Sequence, residues 1–312
     1  MGKFINPFTD YGFKMLFGRD FSKDILKAFL NDLLKGEREI DDIVYTDKEV
    51  LPHVKSERGI IYDIYCKTTT GEHIIVEMQN RMQEYFVDRA LFYLAGDIHT
   101  QGQKGDSWNY KLIPVYGIYF MNWEFDRAER PERLRIDVGL TDLATGELFS
   151  DKMRMIFIQV PLMTKSEEDC ETDFERWIYV LKNMETLSRM PFAAQKEIFS
   201  RLGSLAEIEA MPEPERSQYE ESLRVYRDNL TVMRCARQAG LKEGREEGRA
   251  EGREEGRAEG RAEGRAEGLE IGLEKGREVM AMEVARNLKS LNLDIATICQ
   301  ATGLTPEEVE KL

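Results

Sequence analysis

The chain carries 312 residues, 42% of them hydrophobic and 10% aromatic, enough to fill the core of one sizeable domain with appendages. A formal net charge of −14 with no block of basic residues speaks against a tight, general nucleic-acid binder, because phosphate contacts need a local basic patch, a bridging metal or a partner. Four scattered cysteines, and three histidines (His53, His73 and His99) without ligand spacing, exclude a disulfide framework, a zinc site and histidine-metal chemistry.

Taken from the N-terminus, "MGKFINPFTD" lacks the apolar core of a signal peptide. No later run approaches the ~20 apolar residues of a membrane helix, so the expected compartment is the cytoplasm. "NPFTDYGFKMLFG" predicts a helix capped by Thr9 or Asp10, with Phe13, Leu16 and Phe17 on its apolar side. "SKDILKAFLNDLL" predicts a second helix, capped by Ser22 and closed by Gly36, with Ile25, Phe29 and Leu33 inward. "IDDIVYTDKEVL" then reads as a first strand.

The next stretch, "GIIYDIYCKTTTGEHIIVEMQ", is a hairpin: two runs rich in Ile, Val and Tyr around a turn. A three-residue loop of Thr69, Thr70 and Gly71 needs a left-handed residue, which Gly71 supplies. That loop sets Thr68 opposite Glu72 and, counting outward, Asp63 opposite Glu77. With period two, Asp63, Glu77 and Gln79 share one face, while Tyr62, Ile64, Cys66, Ile74, Val76 and Met78 line the other as a core. Facing carboxylates repel across a ladder. A divalent cation is one remedy, and Mg²⁺ takes one or two carboxylates plus phosphate and water. The other reading is a solvated face that tolerates acids. His73 shares the carboxylate face near the turn, and a surface position is expected for it.

Residues 80–101 predict a helix with Met82, Phe86, Leu91 and Leu94 inward, on which Arg81 and Arg89 meet phosphate or pair with Glu84 and Asp88. "KLIPVYGIYFMNW" reads as a strand buried on both faces, followed by strands "RLRIDVGL" and "MRMIFIQVPL" and the helix "ETDFERWIYVLKNM". This order predicts α/β layers around a mixed sheet. Residues 192–235 read as supporting helices interrupted by "MPEPE".

From Gly240 to Gly276 a glycine stands at every fourth position, with Arg, Ala or Glu, and Glu between. A lone helix of this kind is poor: glycine costs ~1 kcal/mol and like charges stack at i,i+4. A partner helix from a second copy, approaching closely at the stripe with its Arg ridge facing a Glu ridge, makes it a homo-oligomer element; a flexible linker is the alternative. Its charge excludes membrane dimerisation. "LNLDIATICQATGLTPEEVEKL" resembles a helix-turn-helix, but its second helix offers Glu307, Glu308 and Glu310 with only Lys311 positive, which fits protein contact better than base readout.

Together, "NPFTDYGFKMLFG", "YDIYCKTTTGEHIIVEMQ", "FVDRALFYLAGD" and the Gly/Arg/Glu tail resemble the Rpn/YhgA-like branch of the PD-(D/E)XK nuclease family transposases. The resemblance implies a restriction-endonuclease-like α/β core, mixed sheet flanked by helices, with an α-helical C-terminal extension. It implies a Mg²⁺-dependent DNA endonuclease in which Asp63 and Glu77 bind metal and Gln79 positions water. Asp10 then either adds a helix-borne acid to the site or only caps its helix. Gln79 stands where the superfamily has lysine, and an amide offers no charge and no base; Lys14 or Lys67 is the candidate replacement. The expected division is a nuclease-like domain at 1–190, a helical support at 191–239, the repeat helix at 240–277 and a helical tail at 278–312. A weakly active or non-catalytic oligomeric scaffold is the alternative function.

Overall fold

The computed structural model describes residues 2–46, 49–50, 60–102, 109–126 and 132–312; Asp47, Lys48 and His53 lie outside them. Asn6 opens the fold. Its Oδ1 accepts from Phe8 N (2.8 Å), while its carbonyl accepts from Thr9 N (3.3 Å) and Thr9 Oγ1 (2.9 Å), turning the chain at Pro7. Thr9 Oγ1 in turn accepts from Gly12 N (3.0 Å) and caps α1 (Asp10–Phe17). Asp10 is therefore not the cap but the first helical residue, paired with Lys14 one turn on (2.7 Å). A Cβ on Gly12 would collide with the Asn6 carbonyl oxygen, which is backbone and cannot yield cheaply. Gly12→Ala is expected to cost ~2 kcal/mol, read as a lowered melting temperature; an unchanged value would show that the turn relaxes freely.

α2 (Lys23–Leu33) buries Ile25, Phe29 and Leu33 as the spacing predicts. Its expected cap is absent: Ser22 Oγ donates backwards to Arg19 O (3.1 Å) instead, because a 3₁₀ turn at Asp20–Ser22 brings that carbonyl within reach.

Six strands make the main sheet: β1 (Ile43–Tyr45), β4 (Ile64–Thr68), β5 (His73–Gln79), β6 (Val115–Met121), β7 (Arg135–Thr141) and β8 (Leu148–Gln159). Their order is β1-β4-β5-β6-β8-β7, while β2 (Glu49–Val50) and β3 (Ile60–Ile61) pair separately. β5 runs parallel to β6, and β6 to β8; β1/β4, β4/β5 and β7/β8 are antiparallel. The mixed sheet with flanking helices is the expected restriction-endonuclease-like class, and a long helix forms the C-terminal extension.

Both faces of the sheet are covered. On one, α1, α2, α4 (Asp173–Asn183) and α5 (Glu197–Ala206) pack Phe17, Phe29, Trp177 and Phe199 against Phe120, Ile118 and Ile156. On the other, α3 (Phe86–Thr100) brings Phe86, Ala90 and Leu94 onto Tyr65, Ile75, Tyr119 and Phe157. β6 is buried along all seven residues, as its unbroken apolar run requires. The helix expected over 80–101 starts only at Phe86, after Tyr85 takes a left-handed conformation (φ 60°). Its inward stripe is then Phe86, Ala90, Leu94 and Asp97, so Met82 and Leu91 are exposed rather than buried.

The chain divides into two compact units, 1–230 and 231–312. α6 (Glu213–Ser290) runs helical through the whole glycine repeat, and its first turns give Tyr219 and Leu223 to the first core. In the second unit, α7 (Ile295–Thr302) and α8 (Pro306–Lys311) enclose Ala285, Ile298 and Val309. Gly303 makes the left-handed turn between them (φ 75°), and Thr305 and Glu308 form a capping box. No helix is long and apolar enough to cross a membrane, among the described residues.

Candidate functional site

The hairpin has the register its turn dictates. Gly71 takes φ 103°, Thr68 N donates to Glu72 O (2.9 Å), and the ladder pairs Cys66 with Ile74 and Ile64 with Val76. One step further out stand Asp63 and Glu77. The ladder ends there, and side chains replace its backbone bonds: Met78 N donates to Asp63 Oδ2 (3.0 Å), and Asp63 N to Glu77 Oε1 (3.3 Å). Gln79 closes the group by donating Nε2 to Glu77 Oε2 (3.3 Å). Asp63, Glu77 and Gln79 therefore do meet.

Their face is not solvated. α3 and the aromatic core cover it, leaving Glu77 2% exposed and Gln79 7%. Burial, and next the Asp63 charge, push the Glu77 carboxyl up to about 8. Burial also raises Asp63, opposed by its Met78 hydrogen bond and by the nearby Lys14. Lys14 and Asp10 on α1 both act electrostatically on Asp63, and Arg89 on α3 acts on both carboxylates. Asp10 is largely exposed and held by Lys14. Lys67 is excluded as a site residue, since it pairs across the ladder with His73, four residues or ~13 Å along the strand from Asp63.

Arg89 was legible as a phosphate candidate. It makes neither helix-surface pair: its Nη1 donates to Gln83 Oε1 (2.9 Å) and its guanidinium lies over Tyr93 (5.0 Å). Exposed Tyr85, one turn before it, gives the loop after Gln79 its left-handed corner. No sequence signal marks that backbone.

His73 is not a surface residue. It is 5% exposed, its Nδ1 2.7 Å from Asp97 Oδ2 and 3.0 Å from Tyr65 Oη, and Tyr65 Oη donates to Asp97 Oδ1 (2.6 Å). Asp97 lies on α3, far along the chain, so the hairpin alone does not reveal this trio.

Two facing carboxylates, Glu77 buried and Asp63 half-buried, with an amide beside them offer hard oxygen donors and a charge clash that a divalent cation relieves, so the residues fit such an ion. Three or more His, Cys, Asp or Glu side chains do not converge anywhere among the described residues. The ion would therefore keep most of its coordination for water or phosphate. Neither curated proteins nor solved structures give a match. A family model described as PD-(D/E)XK nuclease family transposase matches residues 7–236, spanning α1, the hairpin, α3 and the rest of the sheet, and the chain belongs to that family.

Proposed function

We propose that the chain is a divalent-metal-dependent DNA endonuclease of the Rpn, transposase-associated type. The observation that carries this is the facing Asp63–Glu77 pair, Glu77 buried and Asp63 half-buried, bridged to Gln79. Asp63 and Glu77 hold the cation, Mg²⁺ being suited to oxygen donors with open positions. When bound, such an ion polarises a phosphodiester and acidifies a water. Gln79 keeps Glu77 oriented and presents an amide, which aligns a water or phosphate oxygen but takes no proton. Lys14 and Arg89 bring the local positive charge that the acidic chain needs to approach a polyanion, and Asp10 holds Lys14 in place.

The chemistry belongs to the proposed domain 1–190, with 191–239 as support. The repeat at 240–277 joins copies into a homo-oligomer, and the tail at 278–312 contacts protein. Conversion of supercoiled plasmid to open circle in Mg²⁺, but not in EDTA, tests the activity. A weakly active scaffold is the second reading, favoured by the neutral Gln79 and by the net charge of −14. Gln79→Lys separates the two. It sets a cation beside the carboxylates, and nicking is expected to rise about tenfold. Unchanged or lower nicking would mean that the site is built around the amide.

A further inference from the structure

A cavity of about 270 Å³ opens beyond the C-terminal ends of β6 and β8, walled by Phe8, Asn122, Pro161, Asn183 and Tyr226. It opens at the same end of the sheet as the carboxylate pair but on the other face, beside Phe8 and Val160, whereas Glu77 and Gln79 face α3. Asn122 N donates to Gln79 O (2.9 Å), and Asn122 Nδ2 reaches Tyr226 Oη (3.0 Å) and Asn80 Oδ1 (3.4 Å). Crevices outside the carboxyl ends of parallel strands are where open α/β sheets take ligands.

Of the charges around the cavity, Glu185 is ion-paired and Lys182 is tied to neutral carbonyls. Lys182 Nζ donates to the carbonyls of Pro161 (2.9 Å) and Met163 (2.6 Å). Glu185 accepts from Arg227 (2.7 Å) and from Asn6 Nδ2 (2.7 Å). An anion entering here would meet the Glu185 carboxylate, and Lys182 keeps only one of its three N–H donors for it, which disfavours a phosphate. Neutral groups remain. Asn122 Nδ2 donates to Tyr226 Oη and Asn80 Oδ1, and Asn183 Nδ2 to Tyr179 O (2.9 Å), while neither amide oxygen accepts a hydrogen bond from the described residues. The Tyr226 oxygen accepts from Asn122, so its O–H is left to donate. Phe8 and Pro161 add flat apolar surface.

A nucleobase has this pattern in reverse: two apolar faces, and an edge of alternating N–H donors and N or O acceptors. The volume falls just below the usual range for small-ligand pockets and suits one ring system, not a stretch of duplex. We propose that the cavity receives one unpaired nucleobase of the strand being cut, so that the preferred substrate is DNA with a flipped, mismatched or flapped nucleotide. This depends on the nuclease reading, and it adds to that reading a substrate class.

Binding is measured with Ca²⁺ in place of Mg²⁺, so that DNA is held without being cut. The probes are a perfect duplex and the same duplex carrying a one-nucleotide flap of 2-aminopurine. The flap is expected to bind about tenfold tighter, with a change in 2-aminopurine emission as the base is seated. Tyr226→Phe keeps the ring and removes the donor; Asn183→Leu removes an acceptor. Each is expected to lower flap affinity about fivefold or more while leaving duplex affinity as in the parent. Equal affinity for flap and duplex, or a preference that survives both substitutions, overturns the pocket while the nuclease reading stands. A protein that binds neither probe overturns both.

Discussion

Asp63→Ala and Glu77→Ala are each expected to lower Mg²⁺-dependent nicking at least ~100-fold, the scale on which loss of one preorganised electrostatic group is felt. Each removes an oxygen donor: Asp63 is only half-buried, and Glu77, though 2% exposed, stands beyond the last β4 pair while its strand stays paired with β6. Glu77→Gln adds a readout that needs no cleavage. Glu77 is raised in the folded protein from 4.5 to about 8. Its contribution to stability is therefore fully present below its unfolded value and is lost as pH rises through about 8. Metal-free protein should melt earlier at pH 9 than at pH 6 on this account, and Mg²⁺ should restore more at pH 9, where the pair is ionised. Glu77→Gln removes the clash and should raise the metal-free melting temperature at pH 9 by ~4–8 °C, for about 2 kcal/mol, while losing the response to Mg²⁺. Variants that nick plasmid as the parent does would end the assignment of these two residues.

The second large effect concerns assembly. Ten glycines, Gly240 to Gly276, lie on α6, and a Cβ added at any of them meets nothing within 4 Å. In a single chain, alanine at these positions is free of clashes and stabilises the helix by up to ~1 kcal/mol each. In an assembly that uses the stripe for close backbone approach, bulk there does the reverse. Leucine at four consecutive repeat glycines is thus expected to increase helicity and to convert an oligomer into a monomer. Deletion of 240–276 should give the same loss of mass without unfolding 1–230, whose core residues all precede the repeat. Sedimentation velocity of parent, leucine variant and deletion at equal concentration decides it. A parent that sediments as a monomer across micromolar concentrations removes the assembly role.

What could be read in the sequence followed from local chemistry. Gly71 set the hairpin loop, the loop set the register, and the register placed Asp63 opposite Glu77. The all-apolar run at 115–121 declared a doubly buried strand in the same way. The burial of the carboxylate face was not legible, because it comes from α3 and from parallel pairing of β5, β6 and β8, contacts made across long stretches of chain. His73 was misread for that reason: its partner Asp97 arrives on α3, in a helical stripe whose other inward members are apolar. The start of α3 was misplaced because a left-handed tyrosine carries no compositional mark, whereas a glycine would have.

The glycine stripe also has a consequence for how copies would find each other. Its positions follow the i±4n ridge of the helix, and ridges of that class meet at about −50°. Two helices crossing so steeply touch over only two or three repeats. Each repeat is nearly the same four residues, so one crossing point is about as good as the next, ~6 Å along. The association would then be degenerate in register: a partner slides among many equivalent seats, and the number of seats itself favours the bound state by RT times the logarithm of that number.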